Sequence, residues 1–362
     1  MTAMPTGAAM TTLSIPQRWE DISPDWINAA IAARHPGACV ERVDILVRDD
    51  GTNRRAVLGL SYAAGSGPRT LFLKSNDPAH REVHLRNGNL FNEADLFASG
   101  TPLPVDHPIV YQAIADRGQG SFLLVMEDLT ERDADLRDAT RPMSAQQVAD
   151  GVRGLARLHA RYWNFSAEAH PALDWVKTWE AGEGWKVGLR KRIPIGLERA
   201  APWLAAAISG YGSERILEFW SRYVDSLGRG PTSLLHGDAH IGNTYVLPGD
   251  RVGFLDWQVV RRGEWSQDVG YFIAGALTEA DRRTHEKSLL AEYRDALELP
   301  DAQRPSEAQI WERYRASQAY GLAIWLSTLG TDGWQSPAVS RALVQRYANA
   351  FVELDSASAL AE

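Results

Sequence analysis

The stretch LLHGDAHIGNTYV, Leu234 to Val246, sets His236, Gly237, Asp238, His240 and Asn243 directly behind two leucines. An apolar run resumes at once over Tyr245 to Leu247. Polar groups bound so closely to core segments are costly to bury unless they are paired, which makes the cluster a candidate site. An ordinary polar loop is the plainer alternative. Asn243 follows Asp238 by five residues, and Asp256 stands further on within GFLDW. A carboxylate and an amide carbonyl together suit Mg²⁺, a hard cation that keeps waters and substrate phosphates as its other ligands. On this reading Asn243 and Asp256 take the metal, and Asp238 is left to accept a proton from an attacking hydroxyl.

These residues need elements to hold them. The segment NTYVLPGDRVGFLD reads as a β-hairpin, with Pro248, Gly249 and Asp250 as its turn. A turn centred on Gly249-Asp250 is expected to place Asn243 opposite Asp256, at the open end beside Asp238. Earlier in the chain, Pro24 to Arg34 reads as a helix capped by Ser23. Strand-like runs follow at Val43 to Val47, Arg55 to Tyr62 and Thr70 to Lys74, then a helix over Asn89 to Ala98, then strands at Ile109 to Ile114 and Ser121 to Met126. From Ala145 to Tyr162 the apolar spacing turns helical, through Val148, Val152, Leu155 and Leu158. Further helices are expected at 196–208, 213–227, 279–297, 306–329 and 337–354. The expected organisation is a flexible tail over 1–13, a strand-rich lobe over 14–128 and a larger helical lobe over 129–362. A ligand cleft between the lobes is expected.

The pattern H-G-D-x-H-x-x-N, followed by a strand and D-W, resembles the phosphotransferase family of aminoglycoside kinases, choline kinases and ecdysteroid-kinase-like proteins. Its Asp-to-Asn spacing is also that of the protein-kinase signature H-R-D-x-x-x-x-N. The resemblance implies an α+β, protein-kinase-like fold, with a small antiparallel-sheet N-lobe and a mainly helical C-lobe. It implies ATP and Mg²⁺, with Asp238 as the catalytic Asp and Asn243 and Asp256 on the metal. His236 would brace the loop, and His240 would be structural or substrate-orienting. Lys74, ending LFLKSN, would contact the α- and β-phosphates. Its partner would be Glu93 in NLFNEADLFA, with Glu82 as runner-up. Gly51, Thr52 and Asn53 in DDGTNRRA resemble the family's phosphate-covering loop. LLVMEDL resembles the linker whose backbone near Glu127 and Leu129 binds adenine. LARLHARYW resembles the following helix, with His159 as a packing residue. Asp268 in WSQDVGYF matches a family Asp at a helix start, in a structural role.

Composition bounds the partners. The 362 residues are too many for one small core, and 44% hydrophobic with 23% charged residues is the balance of a soluble globular protein. A net charge of -8 gives no reason to expect nucleic acid. Cys39 is the single cysteine, so no intrachain disulfide is possible, which fits a reducing cytoplasm. The first residues lack the basic and apolar regions of a signal peptide. The best apolar stretch, Gly321 to Leu329, is too short to span a membrane and reads as a buried helix segment.

The acceptor is read from tryptophan. Of 13 Trp, 11 lie after Leu129, and most are expected in the helical core. Trp163, Trp175, Trp179 and Trp185 crowd a short Gly-containing stretch, and aromatic walls suit an apolar or cationic acceptor. GEGWKVGLRKRIP in the same region is basic, which disfavours polycationic aminoglycosides. The expected acceptor is a small, fairly apolar alcohol, steroid- or macrolide-like; an aminoglycoside or choline-type acceptor is the alternative. The short run from Asp256 to Asp268 leaves little room for a peptide-docking segment, which argues against a protein kinase. Two readings from other classes stand beside these. His236, Asp238 and His240 alternate, and on a strand they could chelate Zn²⁺ with Asp256 in a metal hydrolase. A non-catalytic pseudokinase is the other. Oligomeric state is left open.

Overall fold

The computed structural model describes residues 13–50, 53–81, 85 and 88–361. Gly51, Thr52, Glu82 and all of the expected tail before Leu13 lie outside the described residues. The chain forms two compact units, Met1–Ala98 with Ile109–Glu131, and Ser99–Pro108 with Arg132–Glu362.

The first unit is built on an antiparallel sheet of five strands in the order β1-β2-β3-β5-β4. These are β1 (Cys39–Asp50), β2 (Asn53–Ala64), β3 (Thr70–Asn76), β4 (Val110–Asp116) and β5 (Ser121–Glu127). The strands run longer than their apolar cores suggest, because ladder bonds continue past the apolar residues: Asn53 still pairs with Asn76. Helix α1 (Pro24–Ile31) is capped by Ser23, whose Oγ accepts the Trp26 N–H at 3.2 Å. Helix α2 (Asn92–Ala98) starts three residues later than expected.

Strand alternation divides the sheet's side chains between two cores. Leu123 and Val125 of β5 join Leu71 and Leu73 of β3, Leu58, and Ile27 and Ile31 of α1. Phe122, Leu124 and Met126 join Leu90 and Ala94, the latter on α2. Burying each such leucine contributes roughly 2 kcal/mol, so the register is strongly specified. The same alternation sends Lys74, paired across the ladder with Leu124, to the α2 face.

The second unit is mainly helical: α3 (Ala145–Arg161), α4 (Glu183–Ala200), α5 (Ala206–Ser226), α6 (Ser266–Ala276), α7 (Glu279–Ala296), α8 (Glu307–Leu329) and α9 (Pro337–Glu353). Ser144 and Gln147 form a capping box at the start of α3. All residues of α6 are buried. Two small sheets lie among the helices. One pairs β7 (Ser233–Leu235) with β10 (Arg261–Gly263), and the other orders β6 (Asp135–Leu136), β8 (Thr244–Leu247) and β9 (Arg251–Phe254) as β6-β8-β9.

The expected helix over 196–208 does not form. The chain is already helical from Glu183, stops at Ala200 and starts again at Ala206. Pro202 explains the stop, since it has no N–H to bond back to the preceding turn. Gly184, Gly188 and Pro194 hide α4 from a reading of the sequence, and Pro194 sits inside it all the same. The non-helical Gly212, at φ 70°, divides α5 near the start expected for 213–227. Gly321 to Leu329 is the end of α8. Among the described residues no helix is long and apolar enough to cross a membrane. Cys39 is exposed and unpaired.

Candidate active site

In the first unit, Lys74 meets Glu93. The Nζ–Oε2 distance is 2.6 Å, and the side chains are 5% and 4% exposed. β3 brings the lysine to the face that α2 covers, and Glu93 lies in the first turn of α2, so the pair follows from sheet alternation plus one helix. Asn53 opens β2 and is buried. Glu127 ends β5. Its N–H donates to the Ile109 carbonyl at 2.8 Å, and its Oε1 accepts the Ile109 N–H at 2.9 Å. Within the stretch whose backbone is expected to bind adenine, the Glu127 N–H is thus engaged with Ile109. Leu129 begins a short 3-10 turn, Leu129–Arg132.

In the second unit, β7 delivers the chain to His236 and pairs Leu235 with Arg261 of β10. Asp268, in the first turn of α6, then fastens the loop. Its Oδ2 accepts the His236 N–H at 2.7 Å and its Oδ1 accepts the Gly237 N–H at 2.9 Å. His159 reaches the same carboxylate through Nε2 at 3.3 Å, while its Nδ1 meets the Tyr293 hydroxyl at 2.8 Å. His159 is therefore more than the packing residue expected. Burial alone would raise the Asp268 carboxyl. The His159 hydrogen bond and charge and the Gly237 amide outweigh it and hold the group below the ordinary carboxylate range.

Gly237 has φ 84°, a conformation that suits glycine. A Cβ there would also lie 2.2 Å from the Val259 carbonyl oxygen. The ring of His236 is fixed at both nitrogens: Nε2–H donates to the Leu255 carbonyl at 3.0 Å, and Nδ1 accepts the Asp238 N–H at 3.2 Å. Burial keeps this imidazole below its ordinary pKa and so neutral. Asp238 itself stays accessible, with its side chain 34% exposed. The Asn243 amide nitrogen donates to the Asp238 carbonyl at 2.9 Å and to Asp238 Oδ2 at 3.0 Å. This turns the other end of the amide, Oδ1, into the available cation ligand. His240 accepts the Gly242 N–H at Nδ1 over 3.0 Å. Its Nε2 lies 3.7 Å from Asp238 Oδ2, beyond hydrogen-bond reach, and its ring stands edge-on to Trp325 and Tyr271.

The hairpin corrects the expected register by one residue. Thr244 pairs with Phe254 and Leu247 with Arg251, and Asn243 accepts the Leu255 N–H at 3.0 Å. Asn243 thus stands across from Leu255 and not from Asp256. The reason lies in the turn: Gly249 at φ 82° and Asp250 at φ 59° close a three-residue loop instead of a two-residue one. Asp256 comes one step beyond the ladder and is left-handed, at φ 64° and ψ 67°. Such a conformation costs a non-glycine residue on the order of 1 kcal/mol and tends to cluster at functional sites. It turns the chain away from the strand at the expected metal ligand.

The zinc set of the hydrolase alternative is not assembled. Both nitrogens of His236 are engaged, and among the described residues no group of three or more His, Cys, Asp or Glu could hold a metal ion.

Trp179 and Trp185 contact each other edge-to-face with centroids 5.8 Å apart, and Trp179 also meets Trp220 and Tyr320. The Trp179 N–H donates to the Arg262 carbonyl, and the Arg262 N–H donates to Lys177, which ties this stretch to β10. Arg261 and Gln267 also support the loop. Arg261 Nη2 donates to the Gly237 carbonyl at 2.7 Å, and Gln267 Nε2 at 3.2 Å. Neither stood out in the sequence. The available signal for Arg261 is slight, a charge following the apolar Val259-Val260 just after the Asp256 motif.

The sequence matches the model of a phosphotransferase enzyme family over residues 56–316. Among solved structures the chain is similar to a spectinomycin phosphotransferase determined with ADP and spectinomycin. The TM-score is 0.51 at 13% identity, covering 93% of this chain and 99% of that one. It is also similar to a choline kinase from Cryptosporidium parvum, with TM-score 0.50 at 10% identity, covering 88% of this chain and 91% of that one. At these identities the likeness is one of fold. No curated protein matches the sequence.

Proposed function

From the premise that this chain belongs to the phosphotransferase enzyme family and has a protein-kinase-like α+β fold, we propose that it transfers the γ-phosphoryl group of ATP to the hydroxyl of a small, fairly apolar alcohol. The observation that carries the reading is Asp238, an accessible carboxylate on a loop whose backbone is fixed by Asp268 and whose side chain is held by Asn243. That is the arrangement a proton acceptor needs: open to substrate, yet unable to swing. Use of ATP is supported by the ADP bound in the spectinomycin phosphotransferase.

Asp238 orients the acceptor hydroxyl and takes its proton late, because phosphoryl transfer passes through a loose transition state in which positioning outweighs base strength. Lys74, held by Glu93, contacts the nucleotide's α- and β-phosphates. The Asn243 amide oxygen and the Asp256 carboxylate fit a hard cation; Mg²⁺ bound there would neutralise phosphate charge. His236 and Asp268 set the loop and take no part in proton transfer.

The acceptor is steroid- or macrolide-like. The edge-to-face pair of Trp179 and Trp185 supports this, as do the basic residues Lys186, Arg190 and Lys191 on α4, which disfavour polycations. The test is to incubate the enzyme with Mg-ATP and a panel of sterols, macrolides, choline, spectinomycin and kanamycin. Mass gain of one phosphate is then followed on each. Phosphorylation of a neutral, apolar alcohol supports the reading. Efficient phosphorylation of kanamycin or choline with the apolar alcohols ignored returns the acceptor to the aminoglycoside or choline type. ATP bound but turned over with none of them, and not with water, indicates a non-catalytic member.

A further inference from the structure

We propose that Arg261 is a positioning residue for Asp238, acting through the peptide group between Gly237 and Asp238; this rests on the reading of Asp238 as the proton acceptor. That peptide is fixed at both ends. Its carbonyl accepts from Arg261 Nη2 at 2.7 Å, and its N–H donates to His236 Nδ1 at 3.2 Å. The plane of this peptide sets the direction in which the Asp238 side chain leaves the backbone.

The surroundings of Arg261 suit the task. The residue is 6% exposed and sits on β10 opposite Leu235, two residues before Gly237. Its fork divides between two backbone carbonyls, Gly237 by Nη2 and Val259 by Nε at 3.2 Å. Its guanidinium lies over the Trp179 ring, 4.3 Å from the centroid, with the Tyr320 hydroxyl 3.4 Å from Nη2. Nη1 is buried without a hydrogen-bond partner. Among the described residues Arg261 makes no ion pair. A buried cation with no ion pair among the described residues carries a desolvation cost that an apolar side chain of similar volume would avoid. What an apolar side chain could not do is grip the Gly237 carbonyl. A lysine would keep the charge but not the planar fork that reaches two carbonyls at once.

One consequence is specific. Trp179 forms one wall of the Arg261 seat, so its ring acts on the loop as well as on any acceptor. Trp185 touches Trp179, and it is the Trp179 ring that carries the Arg261 guanidinium. Substitutions at the two tryptophans therefore differ: Trp185→Leu raises the acceptor KM alone, while Trp179→Leu also lowers kcat.

The experiment compares Arg261→Gln and Arg261→Lys with the wild type by two readouts. The first is phosphate release from Mg-ATP with water as acceptor. Arg261→Gln should lower kcat by about tenfold or more, because small misplacements of a catalytic group are that damaging, and leave the KM for ATP within about twofold. Arg261→Lys should recover part of the loss. The second is backbone amide exchange, which does not depend on activity. The segment from His236 to Asn243 should exchange faster in Arg261→Gln, while β8, β9 and α6 beyond its first turn stay as in the wild type. Unchanged kcat with unchanged exchange in this segment overturns the proposal. So does faster exchange throughout the second unit in both variants, which would make Arg261 a general support of the fold. Should Arg261→Gln fail to fold, Arg261→Lys carries both readouts by the same criteria. A wild type that releases no phosphate counts against the phosphotransfer reading and with it this role for Arg261. Exchange confined to the loop would then show a backbone clamp without a catalytic purpose.

Discussion

Lys74 of the sheet and Glu93 of the helix that covers it are both buried and lie 2.6 Å apart, so losing either takes a charge partner from the other. Lys74→Ala should weaken ATP binding and spare adenosine, because an ammonium has nothing to contact on a nucleoside without phosphates. Titration calorimetry with each ligand checks this; equal losses would point to damage of the whole unit. Asp256 carries the charge of the proposed metal pair, while Asn243 brings a neutral dipole. Asp256→Ala should therefore abolish the Mg²⁺-dependent part of nucleotide binding, and Asn243→Ala should reduce it less. Titrations with and without Mg²⁺ decide the matter, and an Asp256→Ala protein that binds Mg-ATP like the wild type would remove the metal role. At this scale the residue types were legible, because Asp238, Asn243 and Asp256 are joined by short, fixed spacings. Arg261 was not legible, because nothing in a sequence says that one of two adjacent arginines is buried under a tryptophan.

The loop that carries Asp238 owes its shape to an element that comes after it. Asp268 on α6 accepts two loop amides and His159, all buried. Asp268→Asn keeps the shape but replaces one acceptor oxygen with a donor facing an N–H. It should destabilise the protein by roughly 2–4 kcal/mol, read from the urea midpoint at neutral pH. The pH dependence follows from the sign of the shift. The folded carboxyl titrates below its ordinary value, so its contribution is present above the ordinary carboxylate pKa and is lost as pH falls through the folded one. The gap between wild type and Asp268→Asn should accordingly narrow on strong acidification. His236 works in the same direction. Its folded pKa is lowered by burial, so protonation favours the unfolded chain and acidification below its ordinary pKa costs stability in both proteins. A gap that is constant down to strongly acidic pH would contradict the assignment for Asp268. Turn chemistry explains what was misread among the elements. Pro248, Gly249 and Asp250 announced a hairpin, but whether two or three residues close it depends on backbone angles that the letters do not fix, and the register slipped by one. Helix α4 was missed because its glycines and Pro194 carry the marks of a loop, while packing keeps it helical.

At the scale of the whole molecule, the two units carry different parts of the proposed chemistry, Lys74 and Glu93 in one and Asp238, Asn243 and Asp256 in the other. The strand-rich start and helical remainder were legible from a change of hydrophobic period, because alternation and helical spacing are strong signals over long stretches. The acceptor was less so: it depends on which tryptophans pack and which stay accessible, and the four buried in this unit, Trp220, Trp257, Trp265 and Trp325, read the same in sequence as the others. With Lys186, Arg190 and Lys191 on α4, kanamycin-like polycations should be poor substrates, most visibly at low ionic strength, where a steep rise in kcat/KM with added salt is expected. A fall with salt would reverse the sign of the proposed acceptor field.

The central claim is that Asp238 is the group that takes the hydroxyl proton as the phosphoryl group leaves ATP. Its most direct test follows γ-labelled Mg-ATP with wild type and Asp238→Asn side by side, scoring label transferred to the best alcohol of the panel, or to water, against nucleotide binding measured on the same samples. The account predicts that Asp238→Asn binds Mg-ATP with near-wild-type affinity and transfers label at least about a hundredfold more slowly, in line with the usual worth of a general base. Transfer at the wild-type rate by Asp238→Asn, with binding intact, would contradict it.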